Sequence, residues 1–319
     1  MQGARGMLRA VRTGTRALAI LSLVAALGAP RAVPPLRADD RSEVVFARDD
    51  GVTTLPFDDV GGLVFVRVSV ERSRPLEFVL DSGAARMVID RRVADELGLR
   101  RVGSGRIGGA GAGAVRVDYV RDVTLAMAGI TSRRHELATA DLRPLEATVG
   151  RRVDGVLGYE LFARLVVEID YPGGQVTLRA PERYAYRGPG VELPIDVERR
   201  WPFVRGEIVL DDGSVVEDRF LVDSGSSDTV DHPVVQGLRE RRETTTGIGL
   251  GTPTRGYVGR AKAFRIGGFT IESPIVACCG GTEDTSRLIG SGVLGRFHVI
   301  FDYSRRRMIL ETSEGAGVR

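Results

Sequence analysis

The sequence Phe78-Val79-Leu80-Asp81-Ser82-Gly83 occurs a second time, in closely related form, as Phe220-Leu221-Val222-Asp223-Ser224-Gly225. Three apolar residues precede the aspartate in both copies, a pattern typical of a buried strand that ends at a carboxylate. An unpaired charge is costly at such a position. The repeat therefore predicts two equivalent strand ends that bring Asp81 and Asp223 together.

Four further blocks recur in the same order around this pair. The matched blocks are 55–58 with 193–196, 65–67 with 203–205, 156–158 with 293–295, and 169–171 with 301–303. Five recurring blocks in one order indicate an internal duplication. Alternating apolar and polar residues, separated by glycine-containing turns, predict β-strands in both copies.

Segments with a helical pattern are scarce. We predict helices only over 91–97 and over 159–165, after Gly158. The fold class that follows is all-β, with two pseudo-symmetric β-barrel-like lobes and a cleft between them. The N-terminal lobe is predicted over 41–187 and the C-terminal lobe over 188–319.

Residues 1–40 predict an export signal and a linker. Four arginines precede an apolar run over 17–29, which is too short to span a bilayer of about 30 Å but suits a secretory signal. Small residues at Ala26-Leu27-Gly28 offer a cleavage site. We expect a periplasmic or secreted protein, which contacts a membrane only if the leader is retained uncleaved as an anchor.

The charge distribution argues against nucleic acid as a partner. The net charge is +3, but six arginines and only two aspartates fall in residues 1–40. The rest of the chain holds 39 basic and 40 acidic residues, so it carries no basic excess.

The two adjacent cysteines, 278 and 279, and three scattered histidines, 135, 232 and 298, offer no metal-ligand spacing. We expect neither a metal nor a cofactor; the cysteines are expected to be buried, or else to leave a free thiol.

Two carboxylates that share one site cannot both ionise cheaply, so the pair holds one proton between them. Such a pair can deprotonate a water molecule and protonate a carbonyl oxygen in the same reaction. Gly83 and Gly225 suit tight turns whose N–H groups orient the carboxylates. Ser82 and Ser224 can support the pair with hydrogen bonds. The residues therefore point to hydrolysis without a covalent intermediate.

At these residues the chain resembles the aspartic proteases, in particular bacterial retropepsin-like enzymes joined in tandem as a pepsin-like single chain. The resemblance runs from about Leu55 to Leu310. In that family an apolar-apolar-glycine segment follows the catalytic aspartate by some 70 residues. Here 156–158 follows Asp81 by 75 residues, and 293–295 follows Asp223 by 70. The resemblance implies an aspartic endopeptidase that hydrolyses peptide bonds with water activated between the two aspartates.

The resemblance also implies a mobile hairpin, the flap, that covers a polypeptide substrate bound as an extended strand. Glycines 108, 109 and 111 lie where the first flap is expected, and Gly249 holds the matching position in the second half. Pepsin-like enzymes place a tyrosine on this flap, whereas Tyr119 comes several residues late. Because both halves lie on one polypeptide, a monomer suffices for activity.

Three other functions fit the sequence less well than this hypothesis. Residues 103–108 match G-x-G-x-x-G, but no helix pattern follows, which argues against a dinucleotide site. A serine hydrolase would need a general-base histidine, and none recurs with the repeat. The remaining alternative is a non-enzymatic, two-lobed peptide-binding or scaffold protein. An intact Asp-Ser-Gly in both halves favours the enzyme.

Overall fold

The computed structural model describes residues 43–109, 113–247, 249–278 and 286–312. This part of the chain consists mostly of β-strands, so the predicted all-β class is confirmed. In chain order the strands are β1 (Val44–Phe46), β2 (Val52–Pro56), β3 (Asp58–Val60), β4 (Leu63–Val70), β5 (Leu76–Leu80), β6 (Val88–Asp90), β7 (Arg101–Gly108), β8 (Ala114–Met127), β9 (Ile130–Ala140), β10 (Gly155–Leu157), β11 (Val166–Asp170), β12 (Gln175–Arg179), β13 (Val191–Pro194), β14 (Asp196–Glu198), β15 (Trp201–Val209), β16 (Val215–Val222), β17 (Val230–Asp231), β18 (Arg241–Thr246), β19 (Thr254–Arg260), β20 (Ala263–Ile266), β21 (Phe269–Glu272), β22 (Ile275–Cys278), β23 (Leu288–Ile289), β24 (Phe297–Asp302) and β25 (Arg307–Thr312).

The strands form three sheets. The N-terminal sheet has nine strands in the order β1-β9-β6-β10-β5-β4-β8-β7, with β3 paired to β4. The C-terminal sheet has ten, in the order β18-β19-β22-β17-β23-β16-β15-β20-β21, with β14 paired to β15. A six-stranded central sheet, β13-β25-β24-β11-β12-β2, takes three strands from each half of the chain and joins them where β11 pairs with β24.

Each aspartate of the repeated segment follows a strand with the same two neighbours. Strand β5, which precedes Asp81, lies between antiparallel β4 and parallel β10. Strand β16, which precedes Asp223, lies between antiparallel β15 and parallel β23. Because these strands continue into the two turns, the fold presents both aspartates in equivalent settings.

The predicted match of 156–158 with 293–295 is wrong. The partner strand in the second half is β23, so Leu288-Ile289-Gly290 holds the position of Val156-Leu157-Gly158. Val293 and Leu294 are buried in a short helix instead. Two apolar residues before a glycine occur twice within eight residues here, and only the pairing with β16 distinguishes the two copies.

In the part of the chain that the structure describes, four short α-helices accompany the sheets, and three of them lie near the repeated segments or their partner strands. They are α1 (Arg91–Glu96), α2 (Arg143–Val149), α3 (Tyr159–Phe162) and α4 (Ser291–Leu294), with 3-10 turns at Pro181–Arg183, Pro233–Gly237 and Tyr303–Arg305. Helix α1 confirms the helix predicted over 91–97. Asp90 caps its N-terminus by accepting a hydrogen bond from the Arg92 N–H. The predicted helix over 159–165 ends earlier, at Phe162. Helix α2 was missed, although Pro144 and Gly150 mark its two ends.

Apolar clusters occupy both faces of the strands. The largest runs through both halves and includes Val167 and Ile169 of the central sheet. A second, the N-terminal cluster, contains Phe65, Val79, Val88 and Val156 with their neighbours. A third, the C-terminal cluster, consists of Ala85, Trp201, Phe203, Leu221 and Leu288. The last two lie on the strands that lead to Asp81 and Asp223 and therefore position both turns.

A partly buried ion pair also links the two halves. Arg200 Nη1 lies 2.9 Å from Oε1 of Glu160 in α3, and Oε2 of Glu160 accepts the Met87 N–H at 2.8 Å.

The boundary at 187/188 stays a prediction. The leader, 1–40, lies outside the described residues, among which no helix is both long and apolar enough to cross a membrane.

Candidate active site

Asp81 and Asp223 are fully buried at the ends of β5 and β16. The Asp81 N–H donates to the Leu157 carbonyl at 2.9 Å, and the Asp223 N–H donates to the Ile289 carbonyl at the same distance. Both bonds extend the parallel ladder one residue beyond the strand. The backbone that carries each carboxyl is therefore fixed by the neighbouring strand.

Ser82 and Ser224 interlock the two turns through four hydrogen bonds. The Ser82 hydroxyl donates to the Val222 carbonyl at 2.7 Å and accepts the Ser224 N–H at 3.0 Å. The Ser224 hydroxyl donates to the Leu80 carbonyl at 3.0 Å and accepts the Ser82 N–H at 2.9 Å. Each serine side chain thus satisfies two buried backbone groups of the other half.

Backbone N–H groups orient one oxygen of each carboxyl. Oδ1 of Asp81 accepts from Gly83 at 2.8 Å and from Ala84 at 2.9 Å, and Oδ1 of Asp223 accepts from Gly225 at 2.9 Å. Among the described residues, only a protonated carboxyl of the opposite aspartate could donate a hydrogen bond to the buried Oδ2 of Asp81 or Asp223. Each carboxyl therefore has one oxygen, Oδ2, that no backbone N–H engages.

The two turns approach so closely that only glycine fits. A Cβ on Gly83 would lie 2.5 Å from Cγ of Asp223, and a Cβ on Gly225 would lie 2.3 Å from Cγ of Asp81. Each carboxyl consequently rests against the glycine of the opposite turn. The structure thus brings together all six residues that the sequence assigned to the pair and its support.

Burial and mutual repulsion favour the protonated form of this pair. Burial raises the pKa of Asp81 well above its usual value, and the charge of Asp223 raises it further. Burial also raises the pKa of Asp223 to about 6. One proton shared between the carboxyls is the state that relieves both effects, and it leaves an acid and a base side by side.

The predicted flap glycines lie on two hairpins, one in each half. Gly108 ends β7, where it pairs with Ala114 of β8, and Gly109 follows it. Gly111 lies outside the described residues. Gly249 lies between β18 and β19, and its neighbour Leu250 packs against the N-terminal cluster. In the described residues the donors to the two carboxyls come from the turns and not from these glycines.

Sequence reasoning missed one acidic residue near this site. Asp231, at the end of β17, is only 7% exposed, and its Oδ1 has no hydrogen-bond partner among the described residues. Burial, and then the charge of Asp223, raise the pKa of Asp231 to about 7. No local pattern marks it, because β6 of the first half also ends at an aspartate, Asp90, and only strand register places Asp231 opposite Leu288.

No cluster of three or more potential metal ligands occurs among the described residues. His135 bonds to Ser132, His232 lies 3.2 Å from Asp218, and the ring of His298 lies 3.0 Å from Glu311. Cys278 is buried and disulfide-bonded, so the expectation of a free thiol is wrong for this residue. Cys279, the only other cysteine in the sequence, lies outside the described residues.

Comparisons with known proteins agree with this geometry. Residues 66–161 match the family model described as aspartyl protease, a segment that contains Asp81, β10 and most of α3. The chain is also similar in structure to an aspartic proteinase from Irpex lacteus, with a TM-score of 0.55 and 14% sequence identity. That similarity covers 83% of this chain and 98% of the other. No curated protein sequence matches.

The family match covers the first half, and the structural similarity extends the shared fold over both. The narrower retropepsin-like assignment stays a prediction. Residues 66–161 therefore resemble the aspartyl protease family in sequence, and the chain with its two interlocked Asp-Ser-Gly turns shares the fold of an aspartic proteinase.

Proposed function

We propose that the protein is an aspartic endopeptidase that hydrolyses peptide bonds with a water molecule activated between Asp81 and Asp223. The observation that carries the proposal is the pair of buried Oδ2 atoms without backbone donors, each on a carboxyl that rests against the opposite turn. A water molecule held by both carboxyls would satisfy these oxygens. The fold and family support hydrolase chemistry of this class.

In the first step, the ionised carboxyl takes a proton from the bound water while the water oxygen bonds to the peptide carbonyl carbon. The protonated carboxyl gives its proton to the carbonyl oxygen. A neutral tetrahedral diol results, and the two carboxyls have exchanged roles. This arrangement needs no covalent intermediate, which agrees with the absence of a nucleophile-base pair at the described turns.

In the second step, the newly protonated carboxyl transfers its proton to the amide nitrogen, and the other carboxylate accepts a hydroxyl proton from the diol. The C–N bond breaks, and a carboxylic acid and an amine leave. The dyad returns to its single-proton state, so both proton counts balance over the cycle. The N–H donors at Oδ1 hold both carboxyls in place throughout.

The test uses the full chain and an unfolded, fluorescently labelled protein as substrate at mildly acid pH. Asp81→Asn and Asp223→Asn should each abolish cleavage, and a peptide analogue with a tetrahedral hydroxyl at the scissile position should inhibit the wild type. Asp212→Asn, in an exposed turn, is the matched control and should keep full activity. Undiminished cleavage by either dyad variant would refute the mechanism.

The alternative, a peptide-binding protein without turnover, predicts a different result. In that case the wild type, like the variants, binds extended peptides but releases them uncut. Intact Asp-Ser-Gly turns with paired support favour the enzyme, since binding alone requires no buried carboxyl pair.

A further inference from the structure

One row of side chains crosses the C-terminal sheet beside the dyad. Strand registers place directly opposite residues in the order Phe203, Leu221, Leu288, Asp231 and Ala277. Directly opposite residues project from the same face of a sheet. Asp231 therefore lies on the face that carries Leu221 and Leu288 of the C-terminal cluster.

That face is also the one from which the catalytic carboxyl emerges. Leu221 precedes Asp223 by two positions, and residues two apart along a strand share a face. The hydrogen bond from the Asp223 N–H to Ile289 continues the strand geometry through this position. The influence of the Asp223 charge on the pKa of Asp231 agrees with this placement.

The corresponding row of the N-terminal sheet is entirely apolar. Its members, in the same order, are Phe65, Val79, Val156, Val88 and Ala138. Asp231 thus occupies the place that Val88 holds in the first half. Each row crosses the strand that leads to one aspartate of the dyad, and the second row differs from the first in polarity only at Asp231.

The described residues leave one oxygen of the Asp231 carboxyl without a partner. Its Oδ1 has no hydrogen-bond partner, and the indole N–H of buried Trp201 in the adjoining cluster has none either. The neighbouring His232 and Arg287 are both engaged by Asp218, at 3.2 and 2.7 Å. A buried carboxyl without a partner is costly, and a cation that reaches it removes that cost.

We propose that Asp231 forms the acidic floor of a substrate subsite that selects a lysine or arginine side chain near the scissile bond. In this subsite the carboxyl pairs with the charged head, and the long methylene stem lies beside the apolar members of the row that carries Asp231. The inference rests on the proposed function, since it assumes that a peptide lies along this face. The opposite subsite, with Val88, accepts an apolar side chain instead.

The test measures kcat/KM of the full chain on hexapeptide substrates that carry lysine or norleucine at each position in turn. At one position the wild type should prefer lysine, and Asp231→Val should lower that preference by about 10- to 100-fold while cleavage of the norleucine peptide persists. Asp231→Asn keeps the size of the side chain and should act in the same direction if Asp231→Val fails to fold. Asp212→Asn should leave the preference unchanged.

A second readout separates this inference from the proposed activity. Non-hydrolysable analogues of the same peptides, with a hydroxyl-bearing tetrahedral centre, are titrated against the wild type and the Asp231 variants. If no substrate is cut but lysine analogues bind more tightly and lose this advantage in the variants, the activity fails and the subsite stands. Three results would overturn the subsite. The lysine and norleucine peptides could be cleaved or bound equally well at every position, the Asp231 variants could keep the preference for lysine, or no analogue could bind.

Discussion

Replacement of either interlocking serine should destabilise the protein strongly and by nearly the same amount. Ser82→Ala leaves the Val222 carbonyl and the Ser224 N–H without partners, and Ser224→Ala leaves the Leu80 carbonyl and the Ser82 N–H. A buried backbone group without a partner costs about 1–3 kcal/mol. Each single variant therefore loses about 2–6 kcal/mol of unfolding free energy, a large share of the 5–15 kcal/mol typical of domains.

Urea denaturation measures this loss directly. Trp201 is the only tryptophan in the sequence, and it is buried in the C-terminal cluster, so its fluorescence reports unfolding of the region that contains Asp223. Ser82→Thr and Ser224→Thr keep the hydroxyl and should stay near the wild-type midpoint. Ser214→Ala, in an exposed turn, controls for the loss of a hydroxyl elsewhere.

Two results together would support the role of the serines. Both alanine variants must fall well below Ser214→Ala in unfolding free energy, and they must resemble each other because their hydrogen bonds are equivalent. A loss below about 0.5 kcal/mol in either variant, or a loss in only one, would show that the four bonds do not hold the turns together.

Three further predictions concern packing, the link between the halves, and pH. Gly158→Ala places a Cβ 2.6 Å from a backbone carbonyl oxygen and should lower the midpoint of thermal unfolding by several degrees. Gly237→Ala should leave the midpoint unchanged, because a Cβ at that position has no atom within 4 Å. Equal midpoints for the two variants would contradict the close approach at Gly158. Arg200→Met leaves the buried Glu160 without its ion-pair partner and should lower the unfolding free energy, measured by urea denaturation, by about 3–5 kcal/mol. The double variant Arg200→Met, Glu160→Gln should recover part of this loss. An unchanged unfolding free energy in Arg200→Met would mean that the pair is dispensable. Burial raises the pKa of Asp223 to about 6, so its protonation stabilises the fold at low pH and this contribution is lost as the pH rises through about 6. The unfolding free energy of the wild type relative to Asp223→Asn should therefore fall as the pH rises over that range, and a difference that does not change with pH would contradict the raised pKa.

Much of the site could be predicted because its signals are local. Three apolar residues before Asp-Ser-Gly predict a buried strand and a turn wherever they occur, and the second copy points to a pair. The cap at Asp90 is local in the same sense, since its side chain bonds two residues ahead to the Arg92 N–H. Helix α2 was missed although its proline and glycine are equally local.

The remaining features depend on which strands meet, and no short pattern specifies that. Leu288-Ile289-Gly290 and Val293-Leu294-Gly295 look alike as sequence, and only the parallel pairing with β16 makes the first the partner of Val156-Leu157-Gly158. Asp231 is one more acid in the sequence until strand register places it across from Leu288, on the face that carries Leu221.

The sequence alone therefore determined the chemistry of this protein: two carboxyls, their turns, and the strands that carry them. The tertiary structure decided their geometry, namely which oxygens are left without backbone donors, which serine bonds to which backbone, and which face each side chain takes. The physical reason is that strand propensity and turn chemistry act over a few neighbouring residues, whereas register, burial and charge proximity arise only when distant segments pack together.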